Sequence, residues 1–124
     1  MTAQGRIMTL MFILNRQAYD GTDITWNALR LARQLHNDGQ SIRIFLMNDS
    51  VDLVRDGVPI PEGAEDMGAM LDELISQGVE VKVCGTCQQR CGLLKGQPYR
   101  DESLKSTMAE CASWVVSSEK VLTF

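Results

Sequence analysis

Three of the four cysteines of the chain stand close together in the stretch from Val79 to Leu94, which reads VEVKVCGTCQQRCGLL. They are Cys84, Cys87 and Cys91. The thiolate form of cysteine attacks sulfane sulfur and disulfides, so a thiol with a lowered pKa and partial exposure suits either reaction. The Cys84-x-x-Cys87 spacing allows a disulfide at a helix start, and Cys87 and Cys91 would share one face of a helix. The stretch therefore predicts sulfur-transfer or redox chemistry.

Cys84 directly follows a short β-type run, 79–83, that is typical of a strand. In parallel α/β sheets, ligands and chemistry collect at the carboxyl ends of strands. If a helix begins near Thr86, its unpaired amides and the positive end of its dipole favour a thiolate at Cys84. We thus predict Cys84 as the reactive cysteine, with Cys87 and Cys91 as helpers. The groups expected to stabilise the sulfur anion are the backbone amides from Gly85 and Thr86 to Cys87, with Arg90 and Lys82.

A zinc site is the competing interpretation, because Cys-x-x-Cys is half of many structural zinc sites. The second half is missing here. Cys111 belongs to an apolar helix stripe, where it is interpreted as a small buried hydrophobe, and His36 lies on a distant helix. Asp49 and Asp52 are interpreted as cap and turn residues, since no acid–base partner can be placed beside them. We expect no metal ion and no cofactor.

Strands of buried type alternate with amphipathic helices along the chain. This order predicts right-handed parallel crossovers and a parallel sheet that is covered on both faces. The fold class is therefore α/β, a three-layer α/β/α domain with a mostly parallel sheet of about five strands. The predicted strands are Ile7 to Leu14, Ile42 to Met47, Val79 to Val83 and Lys120 to Phe124.

Helical spacing of apolar residues predicts three main helices. The first follows a cap at Thr22 or Asp23 and ends at Gly39. The second spans Ala64 to Gln77. Between them, 48–63 is predicted as a half-turn of helix followed by a loop. The inner face of the first helix is predicted as Ile24, Ala28, Leu31, Ala32 and Leu35, and a last helix opening at Ser103 is predicted to bury Leu104, Met108, Cys111, Ala112 and Val115.

Length and charge limit the classes of function. The chain has 124 residues, 44% of them hydrophobic, which suits one domain spanning the whole chain. Met1 to Gly5 is predicted as a disordered lead-in. The net charge of -4 gives no electrostatic footprint for nucleic acid or an anionic membrane. With no transmembrane-length run and no secretory leader, we expect a cytoplasmic protein with reduced thiols.

Several stretches together resemble the DsrE/DsrF-like sulfur-relay family, and most closely its YchN-like branch. The resemblance covers 7–124. It implies a doubly covered parallel α/β fold, assembly into trimers or hexamers, and a cysteine that carries persulfide between unidentified sulfur donor and acceptor proteins. By motif match that cysteine is Cys84. The matching stretches are YDGTD with NALRLARQL, IFLMND, the segment Pro61 to Gly63, CGTC and the closing KVLTF.

One position departs from this branch. Its members usually carry Arg-Gly after the Cys-x-x-Cys and its spacer, whereas here Cys91 precedes Gly92 and Arg90 stands one place earlier. A thiol thus replaces a cation. The extra thiol makes disulfide resolution an alternative to persulfide relay. Three hypotheses follow: a sulfur carrier using Cys84, a thiol–disulfide redox protein or sensor using Cys84 with Cys87 or Cys91, and a non-catalytic oligomeric binding module with structural or zinc-binding cysteines.

Overall fold

A single sheet of five parallel strands forms the centre of the fold in a computed structural model, which describes residues 5–124. The strands are β1 (Thr9–Leu14), β2 (Ser41–Leu46), β3 (Glu80–Cys84), β4 (Lys105–Ser106) and β5 (Lys120–Thr123). Their order across the sheet is β4-β3-β2-β1-β5. All four neighbouring pairs are parallel, so the carboxyl ends of the strands meet at one edge.

Helices cover both faces of this sheet. In β1, Leu10, Phe12 and Leu14 join the large core under the first two helices, whereas Met11 packs on the opposite face with Trp114 of the last helix. The alternation explains why β1 reads as a continuous apolar run. The predicted three-layer α/β/α fold is therefore confirmed. The helices are α1 (Ile24–Asn37), α2 (Met67–Ser76), α3 (Cys87–Arg90) and α4 (Met108–Ser117), with 3-10 helices at Asn48–Val54 and Glu102–Leu104.

The predicted start of the last helix at Ser103 is wrong. Ser103 lies in the 3-10 helix Glu102–Leu104, and the two residues after that helix, Lys105 and Ser106, form β4, which the sequence pattern did not indicate. Thr107 then caps α4, and its hydroxyl accepts the Glu110 N–H at 3.2 Å. The later start changes the buried face of α4 to Cys111 and Trp114. Three residues of the predicted inner face are exposed instead: Ala112, Met108 (66% exposed) and Val115 (40% exposed). A fourth, Leu104, lies before the helix begins.

The buried stripe of α1 is also rotated from the prediction. The helix buries Thr25, Ala28, Leu29 and Ala32, which follow the i, i+3, i+4, i+7 rule. The predicted core positions Ile24 and Leu31 are exposed, because the register sets Thr25 and Leu29 against the sheet.

The remaining element ends shift by a few residues. α2 begins at Met67 rather than Ala64, because the Asp66 side chain caps it by accepting the Ala69 N–H at 3.0 Å. The 3-10 helix after β2 is longer than the predicted half-turn. Most of the predicted lead-in, residues 1–4, lies outside the described residues. No helix within 5–124 is both long and apolar enough to cross a membrane.

Candidate active site

Cys84 is the last residue of β3, at the carboxyl edge of the sheet, as predicted. The Tyr99 hydroxyl donates to its carbonyl oxygen at 2.7 Å, which fixes the backbone there. The residue is 8% exposed, so Cys84 is more buried than expected. It packs in a small cluster of buried apolar side chains on the α4 face of the sheet, which is called the apolar pocket here. The side chains of this pocket are Met11, Phe45, Cys111 and Trp114.

Cys87 lies at the centre of the three clustered thiols. Its backbone N–H donates to the Cys84 sulfur at 3.3 Å. Its own thiol is half-buried, and the Cys84 and Cys91 side chains both raise its pKa. The structure thus brings the three predicted cysteines together, in the order Cys84, Cys87, Cys91.

The Cys87 thiol is held in its protonated form at neutral pH. Burial raises the pKa of Cys87 to about 12, and the hydrogen bond with Cys84 adds to the rise. The backbone N–H of Asn48 lowers the pKa of Cys87 and so opposes this rise in part. A protonated Cys87 can donate its S–H to a neighbouring sulfur anion. Burial likewise raises the pKa of Cys111, which belongs to the same apolar pocket as Cys84.

Asn48 reaches Cys87 through an unusual backbone conformation. It is the second residue after β2 and has φ +51°, which makes it the one non-glycine residue with positive φ within 5–124. Asparagine tolerates this left-handed region better than most residues. Its side chain also donates to the Asn15 side chain at 2.9 Å. The residues just after β1 and β2 therefore fix the position of the Asn48 backbone N–H near Cys87.

The predicted anion-stabilising groups are only partly placed as expected. The Gly85 N–H donates to the Ser106 carbonyl at 3.0 Å, so Gly85 does not offer its amide to the sulfur. α3 begins beside Thr86 but is a single turn, which carries little of a helix dipole. Arg90 is exposed at the last residue of α3. The donor found at Cys84 is the Cys87 amide.

Lys82, predicted to add positive charge near Cys84, has other partners. Its ammonium pairs with Glu110 at 2.6 Å and lies 4.9 Å from the ring centroid of Trp114. Lys82 thus packs against Trp114, which is one of the residues of the apolar pocket.

Sequence reasoning missed a polar group beneath the cysteines. Asp49, Asp52 and Arg55 lie three residues apart along the 3-10 helix and its end, so they share one face. The interpretation of Asp52 as a turn residue is wrong, because its buried side chain pairs with Arg55 at 3.2 Å. Asp49 accepts the Gly92 N–H at 2.8 Å. Charged residues with a period of three inside an apolar run are the signal that could have revealed this group.

The zinc interpretation gains no geometric support. Within residues 5–124, no three His, Cys, Asp or Glu side chains are arranged to hold a metal ion. The ordered contacts around the cysteines are instead donors to sulfur and to carbonyl oxygens.

Known proteins match this chain over almost its whole length. A model of the DsrE/DsrF-like family matches residues 8–124. The chain is 35% identical to protein YchN of Escherichia coli over 117 residues, which cover 93% of this chain and 97% of YchN. It is 33% identical to an uncharacterized protein of Methanopyrus kandleri, over 84% of each chain. The crystal structure of the E. coli ychN protein aligns with a TM-score of 0.79 at 34% identity, over 95% of this chain and 100% of that one.

Proposed function

This chain belongs to the DsrE/DsrF-like family, and from that premise we propose that it is a sulfur carrier that takes up sulfane sulfur as a persulfide on Cys84. The family is generally associated with sulfur relay. The observation that carries the proposal is the environment of Cys84. Its sulfur lies at a strand end and receives the Cys87 N–H at 3.3 Å, with the Cys87 thiol beside it.

The uptake step needs no external oxidant or reductant. The Cys84 thiolate attacks the outer sulfur of a donor persulfide, the donor S–S bond breaks, and the donor cysteine leaves as its thiolate. The product is a persulfide anion on Cys84. The Cys87 N–H, which contacts the Cys84 sulfur, and the Cys87 S–H lie next to this persulfide and stabilise its negative charge. The reverse step on an acceptor thiol hands the sulfur on.

The apolar pocket suits a reactive sulfur. Phe45 and Trp114 meet edge to face, with ring centroids 6.1 Å apart, beside Met11 and Cys84. Such a wall keeps water and unrelated thiols from a stored persulfide. We propose that donor and acceptor proteins reach it from the carboxyl edge of the sheet, where Cys91 is half-buried and Arg90 exposed.

Compartment and assembly belong to the same proposal. Four free cysteines suit a reducing compartment, and we place the protein in the cytoplasm. We also propose a homo-oligomer, a trimer or a hexamer. An exposed apolar surface on α4 supports self-association, since Met108 is 66% and Val116 86% exposed.

Intact-mass measurement tests the carrier function. The reduced protein is incubated with sodium polysulfide, desalted and weighed. We expect the parent protein and Cys111→Ala to gain the mass of one sulfur atom, and Cys84→Ser to gain none. Cys111 is the matched control, because it is a second buried thiol in the same pocket. Equal sulfur uptake by Cys84→Ser would contradict the assignment.

The central position of Cys87 favours a second function, internal discharge of the persulfide. The Cys87 thiol can attack the inner sulfur of the Cys84 persulfide, which forms a Cys84–Cys87 disulfide and releases the outer sulfur as hydrosulfide. The two thiols are oxidised and the sulfane sulfur is reduced, so the step balances. Peptide mapping after loading would detect the disulfide, and hydrosulfide release should be lost in Cys87→Ser. Release that is unchanged in Cys87→Ser would exclude this route.

A further inference from the structure

We propose that the buried Asp52–Arg55 ion pair is a positioning device, which holds the segment carrying Cys91 so that Cys87 and Cys91 face Cys84. The cysteine loop is defined here as residues 88–97. The inference deepens the proposed sulfur chemistry and rests on it for its functional meaning. The geometry itself is independent of which sulfur reaction occurs.

Arg55 holds the cysteine loop at three points. Its Nη2 donates to the Gln88 carbonyl at 2.5 Å, its Nη1 to the Cys91 carbonyl at 2.9 Å, and its Nε to the Gln97 carbonyl at 3.2 Å. These carbonyls lie at the start, near the middle and at the end of the loop. One rigid, planar guanidinium therefore sets the path of ten residues.

Asp52 completes the hold from the other side. One carboxylate oxygen accepts from Arg55 at 3.2 Å, and the other accepts the Leu93 N–H at 2.7 Å. The side chains of Asp52 and Arg55 are 2% and 0% exposed. A charge buried this deeply is stable only with its partner and its hydrogen bonds in place. The loop supplies those bonds, so the pair and the loop order each other.

Gly92 shows how closely the loop backbone rests on the pair. A Cβ atom at this position would lie 2.5 Å from an Asp52 carboxylate oxygen and 2.7 Å from Arg55 Nη1. Its φ of +87° also lies in the region that favours glycine. The segment next to Cys91 therefore has no room to shift toward the pair.

The contacts of Arg55 distinguish positioning from anion binding. Four of its five N–H groups are used by Asp52 and the three carbonyls. Its guanidinium also lies 5.2 Å from the ring centroid of Tyr99, whose hydroxyl holds the Cys84 carbonyl. The same unit thus fixes the Cys84 backbone and the cysteine loop.

The test compares alkylation rates of single cysteines in Arg55→Lys and the parent protein, with iodoacetamide and peptide mass mapping. Arg55→Lys keeps the charge opposite Asp52 but loses the fork that spans three carbonyls. We expect Cys87 and Cys91 to react on the order of tenfold faster, since a displaced support changes local geometry. The buried Cys111 should keep its rate, whereas general unfolding would raise the rates of all four cysteines.

Arg100→Lys is the matched control. Arg100 also donates to carbonyls, those of Leu53 and Arg55, and pairs with Asp72, but it makes no side-chain hydrogen bond to the cysteine loop within the described chain. It should leave the Cys87 and Cys91 rates unchanged. A folded Arg55→Lys with parental rates at both cysteines would overturn the inference.

Hydrogen exchange in the unaltered protein gives a second test, which does not depend on whether a variant folds. Leu93 is an exposed loop residue, yet its N–H donates to buried Asp52. We expect this amide to be strongly protected, and exchange at the rate of a free loop amide would also overturn the inference. Neither the alkylation rates nor the hydrogen exchange depends on sulfane sulfur. A failure of this inference can therefore be distinguished from a failure of Cys84 to take up sulfur.

Discussion

Cys87 combines three roles that sequence spacing alone does not separate. Its N–H donates to the Cys84 sulfur, the Cys84 and Cys91 side chains raise the pKa of its thiol, and the Asn48 backbone N–H lowers that pKa. Because its pKa is raised to about 12, it enters the reaction as a proton donor before it becomes a nucleophile. Cys84 and Cys87 are therefore unequal partners.

The raised pKa of Cys87 predicts a loss of stability at alkaline pH. The unfolded thiol has a pKa near 9.0, so between that value and about 12 the unfolded chain gives up a proton that the folded chain keeps. The free energy of unfolding is unaffected below this range and falls as pH rises through it.

Denaturant unfolding at several pH values should show this decline in the parent protein and a shallower decline in Cys87→Ser. Some decline should remain, because burial also raises the pKa of Tyr99 and Cys111. Identical pH profiles for the two proteins would contradict the assignment.

Asn48 gives a prediction about backbone strain. Asn48→Gly should keep the positive φ and the N–H that faces Cys87, and should change the free energy of unfolding by no more than about 0.5 kcal/mol. Asn48→Val should lower it by about 1–2 kcal/mol, because a branched side chain disfavours the left-handed region. Chemical denaturation measures both. Equal stability of the two variants would show that the conformation carries no strain.

The position of Cys84 could be predicted from sequence, but its supports could not. Cys84 follows a strand-like run, and this places it at the carboxyl edge of any parallel sheet. The pairing of Asp52 with Arg55 depends on a loop some forty residues further along the chain, at Gln88 to Gln97. Local patterns carry no information on such contacts, so Asp52 resembled an ordinary turn residue.

Among the secondary-structure elements, α4 shows where local signals compete. Ser103 and Thr107 are both good caps, and the sequence does not choose between them. The pairing of Lys105 and Ser106 with Val83 and Cys84 decides the choice, because it keeps these two residues extended. The long apolar strands carry a stronger signal, and their predicted ends lie within a few residues of the observed ends.

Trp114 is the main anchor of α4 on the sheet. It is buried, meets Phe45 edge to face, and carries Arg43 at 5.5 Å and Lys82 at 4.9 Å from its ring. Trp114→Ala should lower the free energy of unfolding by about 3–5 kcal/mol, as for large core residues. Ser113→Ala, at an exposed position of the same helix outside the apolar surface, should change it by less than about 0.5 kcal/mol. A loss below about 1 kcal/mol in Trp114→Ala would show that α4 does not depend on this contact.

For the molecule as a whole, one side of α4 remains apolar and uncovered. Met108, Val115 and Val116 are exposed on it, and the net charge of -4 does not oppose association strongly. An apolar helix surface of this kind is typical of subunit contacts. This supports the proposed homo-oligomer independently of the cysteine chemistry.

Light scattering should detect the assembly and its dependence on α4. We expect a trimer or a hexamer for the parent protein, and a shift to smaller species for Val116→Lys, which places a charge in the apolar contact. Ile60→Lys is the control, because Ile60 is exposed on a loop away from α4. A parent protein that runs as a monomer, or a Val116→Lys variant with the parental mass, would contradict the proposed surface.

The most direct measurement maps the added sulfur to a residue. The parent protein is loaded with polysulfide, alkylated at once, digested and analysed by tandem mass spectrometry, which separates Cys84, Cys87 and Cys91 within their shared segment. We predict an alkylated persulfide on Cys84, with Cys87 and Cys91 carrying the ordinary thiol label. Persulfide confined to Cys87 or Cys91, or sulfur spread equally over all four cysteines, would contradict the carrier role of Cys84.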